Sequence, residues 1–153
     1  MNRSRYVTRQ IDSIDRAIIA TLTQDGRATI KAIGKKIGMS SPSVRDRILK
    51  LEDSGAIRAY TIVVDLKVFG LGTSAIVRMN VLPGQLQKLE KMLNDSPEVV
   101  EANRVTGEDC FLAKLVVGDE LELQEVVDRF QLYASADIAI ILSSAVSRRL
   151  PKF

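Results

Sequence analysis

Six side chains crowd into the stretch 41–50 and could do chemistry together: Ser41, Ser43, Arg45, Asp46, Arg47 and Lys50. Hydroxyls exchange hydrogen bonds with base edges and phosphate oxygens. Guanidinium and ammonium groups neutralise phosphate, and a carboxylate accepts from cytosine N4. The spacing predicts a helix, because Val44, Ile48 and Leu51 recur as one apolar stripe. Turning about 100° per residue from that stripe, Pro42, Asp46, Lys50 and Asp53 point most directly outward. Ser43, Arg45 and Arg47 sit on the flanks. Such a helix would enter a DNA major groove by its first turn, and its N-terminus favours phosphate as well. Arg47 has two open roles, a DNA contact or a brace to Glu52 or another carboxylate. For the whole set the plainer alternative is the solvated charged face of an ordinary helical bundle.

The elements that would position this helix are legible around it. Gly38 can take the positive φ that ends a preceding helix, Ser40 and Ser41 are good N-cap residues, and Pro42 suits the first turn. Upstream, Asp12 can cap a helix carrying Ile14, Ile18 and Leu22, with Ile11 just before it and Asp25-Gly26 at its end. Thr29 can cap a second, shorter helix with Ile30, Ile33 and Ile37 on one face. Its Lys31, Lys35 and Lys36 lie elsewhere, as solubilising charges or, for Lys35 and Lys36 above all, further phosphate contacts. Gly55 closes the third helix. Three short amphipathic helices with a tight turn between the last two make a helix-turn-helix over residues 1–57. The basic residues 1–11 (Arg3, Arg5, Arg9) read as a frayed terminus in preference to an arm on DNA.

Charge is divided in the same sense. The net charge of +3 hides a helical part, residues 1–60, with 12 Lys/Arg against 6 Asp/Glu, and a remainder with 10 against 13. Only the first half suits a polyanion. Histidine is absent, which removes Ser-His-Asp and Cys-His catalysis and histidine zinc sites. One cysteine allows no intrachain disulfide and fits a reducing compartment. No apolar run reaches the length of a membrane span, and the N-terminus does not read as a signal peptide, so a cytoplasmic protein is expected. No cofactor or metal is implied. Gly70-Leu71-Gly72-Thr73-Ser74-Ala75 spells a dinucleotide fingerprint, but its glycines lead into an alternating strand instead of a helix.

Ile57–Asp65 is β-branched and aromatic and reads as a connecting strand without a partner in the helical part, one that could pair with another subunit's copy. Residues 58–72 then form connector and hinge, with Lys67–Gly72 as the junction. From 73 to 153 the pattern is strand (Thr73–Leu82), helix (Leu86, Leu89, Met92, Leu93), strand (Val99–Thr106), strand (Cys110–Val117), helix (Leu123, Val126, Val127, Phe130) and strand (Ile138–Val146). The order βαββαβ is the ferredoxin-like arrangement, with both helices on one face of an antiparallel sheet. The other face needs cover, which a second copy of the chain would supply. The fold class is therefore α+β: a helix-turn-helix domain followed by a ferredoxin-like dimerisation and effector domain.

Residues 12–153 resemble the Lrp/AsnC family of transcriptional regulators. The resemblance rests on Asp12–Leu22, Asp25-Gly26-Arg27, Gly38–Ile57, Val105-Thr106-Gly107 with Phe111-Leu112, and Ile140–Ser144. It implies homodimers, often gathered into octamers or other multimers of dimers, that bind double-stranded DNA and answer to a small effector, commonly an amino acid. A two-fold dimer implies imperfectly palindromic operators. The resemblance places the effector at Thr106, Gly107, Glu108, Asp109, Cys110 and Phe111, together with Asp137, Ile138 and Ala139. There the chain departs from the family pattern. Cys110 stands where an acidic residue is usual, Ala134 where Gly is, and Ile138-Ala139 where a Thr-Ser pair is. Lost hydroxyls disfavour a zwitterion, so either the effector is less polar than usual or the site is idle. Cys110 itself reads as a small core thiol in preference to a redox switch. The reading from another class is a small metabolic enzyme or a free-standing amino-acid-sensing module whose basic half is incidental.

Overall fold

The computed structural model describes residues 11–107, 110–146 and 149–151. They divide into two compact units, with the boundary between Val63 and Val64, inside the stretch assigned to the connector.

The first unit is helical. Helix α1 (Ser13–Gln24) starts at Asp12, whose carboxylate accepts from the Asp15 N–H while Asp15 reaches back to the Asp12 N–H, a capping box. Helix α2 (Ile30–Ile37) is capped by Thr29 and ends at Gly38, whose φ of 72° is left-handed. Helix α3 (Ser41–Asp53) is capped by Ser40, with Pro42 in its first turn. Ile18, Ile33, Val44 and Leu51, at least one from each helix, are wholly buried against one another. Each such side chain contributes about 1.5–3 kcal/mol, so this small core is adequate but thin. Gly34 admits the chain closely. A Cβ there would lie 2.5 Å from the Met39 carbonyl oxygen, in the turn that leads to α3.

Beyond α3, residues 57–65 are not in a strand within the single chain; the strand expected there had its possible partner in another subunit's copy. They have strand composition but no ladder partner among the described residues, and a strand is defined by its partner. Ile62 and Val63 are 82% and 98% exposed. The expected hinge is instead a single 3-10 turn, Leu66–Phe69, capped by Asp65 and closed by Gly70.

The second unit has the expected order: β1 (Thr73–Val81), α4 (Leu86–Asp95), β2 (Val99–Arg104), β3 (Phe111–Val117), α5 (Glu120–Gln131) and β4 (Ala134–Ile140). The four strands form one antiparallel sheet in the order β2-β3-β1-β4. Leu89 and Leu93 of α4 and Leu123, Val126, Val127 and Phe130 of α5 pack on Ala75, Val77, Met79, Ala113 and Leu115, so both helices cover one face. Alternation puts Arg78 and Asn80 on the opposite, open face. The last strand is displaced from its expected span, Ile138–Val146. It begins at Ala134 and ends at Ile140, because Val81, Met79 and Val77 pair with Ala134, Ala136 and Ile138. Pairing with β1 overrides the weak strand propensity of Ala-Ser-Ala-Asp. The glycines of the nucleotide-like string lead into β1, a strand, as its rejection requires.

Candidate nucleic-acid interface

The outward surface of α3 is where the sequence-selected side chains gather. Ser41, Ser43, Arg45, Asp46 and Lys50 are all exposed. Met39, Pro42, Ser43, Asp46, Arg47 and Lys50 line a shallow dish of about 390 Å³ along it. Ser40 spends its hydroxyl on the helix cap, accepting from the Ser43 N–H at 3.4 Å, and it also meets the Ser43 hydroxyl at 2.9 Å. Lys50 pairs with Asp46 one turn back, both more than half exposed. A surface pair of this kind is worth only about 0.3–0.5 kcal/mol, so Lys50 can exchange it for a phosphate or a base edge at small cost. On α2, Lys31 and Lys35 are exposed, and Lys36 donates to Gln24 Oε1 at 3.2 Å.

Arg47 is placed differently. It is only 22% exposed, and its Nη1 lies 2.7 Å from Asp12 Oδ2 and 2.8 Å from Asp15 Oδ1. Of the two roles left open for it, the brace accords with this geometry, the carboxylates being Asp12 and Asp15 in place of Glu52. The Asp15 backbone N–H, and after it the Arg47 guanidinium, hold the Asp12 carboxyl below the usual carboxylate range; Asp12 and Asp15 in turn raise the Arg47 guanidinium. Apart from their place in the family-like stretch Asp12–Leu22, the sequence assigns Asp12 a capping role and Asp15 none. An i, i+3 acidic pair opening a helix is the signal that could have flagged both. Gly34 was also missed, although a glycine inside a helical pattern costs about 1 kcal/mol relative to Ala and so implies a reason for its presence.

Among the described residues selected for an effector, those of the hairpin and those of β4 lie on opposite sides of β1. The described part of the hairpin, Thr106, Gly107 and Cys110, stands at the β2–β3 end of the sheet. Val105 N–H donates to the Cys110 carbonyl, and Cys110 N–H donates to the Met79 carbonyl. Glu108 and Asp109 lie outside the described residues, as does the basic arm Arg3–Arg9. Asp137, Ile138 and Ala139 belong to β4, beyond β1, opposite Arg78, Val77 and Ile76. With β1 between, β3 and β4 are about 10 Å apart. Asp137 faces Arg78 at 3.8 Å, both well exposed. Phe111 is 5% exposed and packs in the core of the sheet unit. Cys110 is half-buried, its Sγ 3.8 Å from Asn80 Oδ1, and it packs against the core as a small thiol would.

Among the described residues no group of Cys, Asp and Glu is arranged to hold a metal ion, and no helix is long and apolar enough to cross a membrane.

A capped helix-turn-helix whose third helix presents Arg45 and Lys50 outward, joined to a βαββαβ unit, defines a class of DNA-binding regulators. Comparison with known proteins resolves the class. The AsnC-type helix-turn-helix domain model matches residues 11–52, and the Lrp/AsnC ligand binding domain model matches residues 74–151. The HTH-type transcriptional regulator LrpB of Bacillus subtilis is 37% identical over 132 residues, covering 82% of this chain and 89% of that protein. The structure of LrpC from the same organism superposes with a TM-score of 0.87 at 28% identity, covering 92% of this chain and 100% of that one. A feast or famine regulatory protein of Mycobacterium tuberculosis, complexed with L-methionine, superposes at 0.86 with 27% identity, covering 92% and 98%. The chain belongs to the Lrp/AsnC family and is a DNA-binding transcriptional regulator, which sets aside the enzyme reading.

Proposed function

We propose that this regulator reads duplex DNA with Ser41, Ser43, Arg45 and Lys50 of α3, while Lys35 and Lys36 of α2 add phosphate contacts and Asp46 faces a donor on a base edge. The observation that carries this is the division of cations on α3. Arg45 and Lys50 project from the exposed face, whereas Arg47 is engaged by two carboxylates. Arg45→Ala with Lys50→Ala tests it, measured by fluorescence anisotropy on genomic fragments recovered with the unaltered protein. Removing two DNA-facing cations, at roughly 1–3 kcal/mol each, weakens binding at least tenfold and lowers the salt slope by about one for each phosphate no longer neutralised. Unchanged affinity at moderate salt would sink the assignment.

The same reading makes the working species a homodimer or a multimer of dimers. The exposed stretch Ile62-Val63 and the open sheet face are surfaces that a second copy would cover. Because β1 separates the hairpin from Asp137–Ala139 in one chain, an effector touching both sets would lie across β1 or be shared with a second copy. Ile138 and Ala139 offer a ligand apolar contact and no hydroxyl, so they favour a less polar effector; an amino acid such as the methionine of the mycobacterial neighbour would need its ammonium and carboxylate met by other groups. Calorimetry with methionine and leucine against serine and glutamine checks this. Tight binding of a polar member would count against it.

A further inference from the structure

Arg47 sits on the recognition helix but is held by a different one. Its Nη1 bridges Asp12 Oδ2 and Asp15 Oδ1, at 2.7 and 2.8 Å. The remaining oxygens of those carboxylates close the α1 capping box, Asp12 Oδ1 with the Asp15 N–H at 2.8 Å and Asp15 Oδ2 with the Asp12 N–H at 3.4 Å. Each carboxylate therefore serves two elements, one oxygen for the first turn of α1 and one for the middle of α3. The Asp15 side chain is fully buried, Arg47 is 22% exposed and Asp12 47%. A guanidinium held by a buried carboxylate has a fixed direction, and so has the helix that carries it.

The apolar contacts share that constraint, since α3 packs on both α1 and α2. Val44 and Leu51 are the wholly buried side chains of α3, and both lie on one stripe. A stripe sets which face is inward, and a polar contact away from it adds resistance to rotation and tilt of the helix. The clamp to α1 acts off that stripe, where it opposes both.

We propose that Arg47 is a positioning residue. Through Asp12 and Asp15 it fixes the attitude of α3 and so sets DNA affinity without touching DNA. The proposal rests on α3 being the DNA-reading helix.

The carboxylates provide the decisive test. Asp12→Asn keeps an N-cap acceptor, loosens the clamp, and adds positive charge to the domain. If Arg47 were a DNA-binding side chain held in reserve, freeing it would strengthen binding and steepen the salt slope. If the clamp positions α3, binding weakens against the charge trend. For the full chain on a genomic fragment recovered with the unaltered protein, the expected result is a loss of about tenfold, in the usual range for coupling between separate sites. The slope of log affinity against log salt stays as in the unaltered chain, because the same phosphates are neutralised. Arg47→Gln should behave in the same way, with Arg47→Lys partly restoring affinity. Far-UV circular dichroism at the assay temperature confirms that each variant is folded; where Arg47→Gln is not, Asp12→Asn carries the test alone. Tighter binding, or a changed salt slope, overturns the proposal in favour of direct DNA binding by Arg47. Unchanged affinity in a folded variant of lowered Tm overturns it in favour of a stabilising role only. If Arg45→Ala with Lys50→Ala leaves affinity intact, it is the reading of α3 that fails.

Discussion

The helical unit and the sheet unit solve opposite problems. In the helical unit the chemistry is contiguous: the exposed side chains between Ser41 and Lys50 lie on a single run of chain, and its neighbours need only hold it. The support is thin, four wholly buried side chains and an ion-pair clamp. The sheet unit has a core more than three times as large among the described residues, drawn from all but one of its elements. Its candidate ligand residues, however, come from two strands that β1 keeps apart. A reading surface can be local in sequence and survive on a small core. A ligand site needs convergence from distant segments, and a large core does not guarantee that it converges within one chain.

The contrast can be broken most forcefully at Phe111, which the family resemblance places beside the effector and the structure places in the core. Phe111→Ala should cost about 3–5 kcal/mol, as large-to-small core substitutions of Phe do. Hydrogen exchange should show the loss as reduced protection across β1 and β3. A folded variant of normal stability that has lost only its response to effector would return Phe111 to the ligand site.

A smaller effect is expected at Gly34. The Cβ of Gly34→Ala would lie 2.5 Å from the Met39 carbonyl oxygen, and this is backbone, which cannot swing aside as a side-chain tip would. The turn into α3 has to shift, at roughly 1–3 kcal/mol for overpacking. Thermal melting and exchange over α2 and α3 check it, and DNA affinity should fall with the displaced helix. Full stability and full affinity would show the turn to be more pliant than its geometry implies.

How much of this was legible in the sequence follows the same division. Caps and stripes are local rules, so Asp12, Thr29, Ser40 and Gly38 mark the helix ends they occupy. Alternation along Thr73–Val81 marked the buried face of β1 for the same reason. Long-range facts were less accessible. Arg47 could be given a carboxylate but not its identity, because Asp12 and Asp15 lie over 30 residues away and meet it only once α1 has packed. Residues 57–65 look like a strand because propensity registers side chains and not partners. The start of β4 was hidden because Ala134–Asp137 carries almost no strand signal and is recruited by its neighbour. The separation of Asp137–Ala139 from the hairpin follows from strand order, which no local pattern encodes.

The smallest expected effect concerns where the helical unit ends. Tyr60 lies beyond α3, yet its hydroxyl donates to Glu52 Oε1 at 2.8 Å. Desolvation first, then this bond to the Glu52 carboxylate, push the phenol from its usual 10 up to about 12. The neutral phenol is thus favoured in the folded state. Its contribution to stability is fully present below pH 10 and is lost as pH rises from 10 towards 12, since the unfolded chain ionises first. Tyr60→Phe should flatten alkaline unfolding in that window, and the difference titration of phenolate absorbance between the two proteins should show the missing group ionising near 12. An ionisation near 10 would mean that the chain leaves the helical unit before Tyr60. The exposed connector would then begin at the end of α3, without the Tyr60–Glu52 bond that ties its first residues back to that helix.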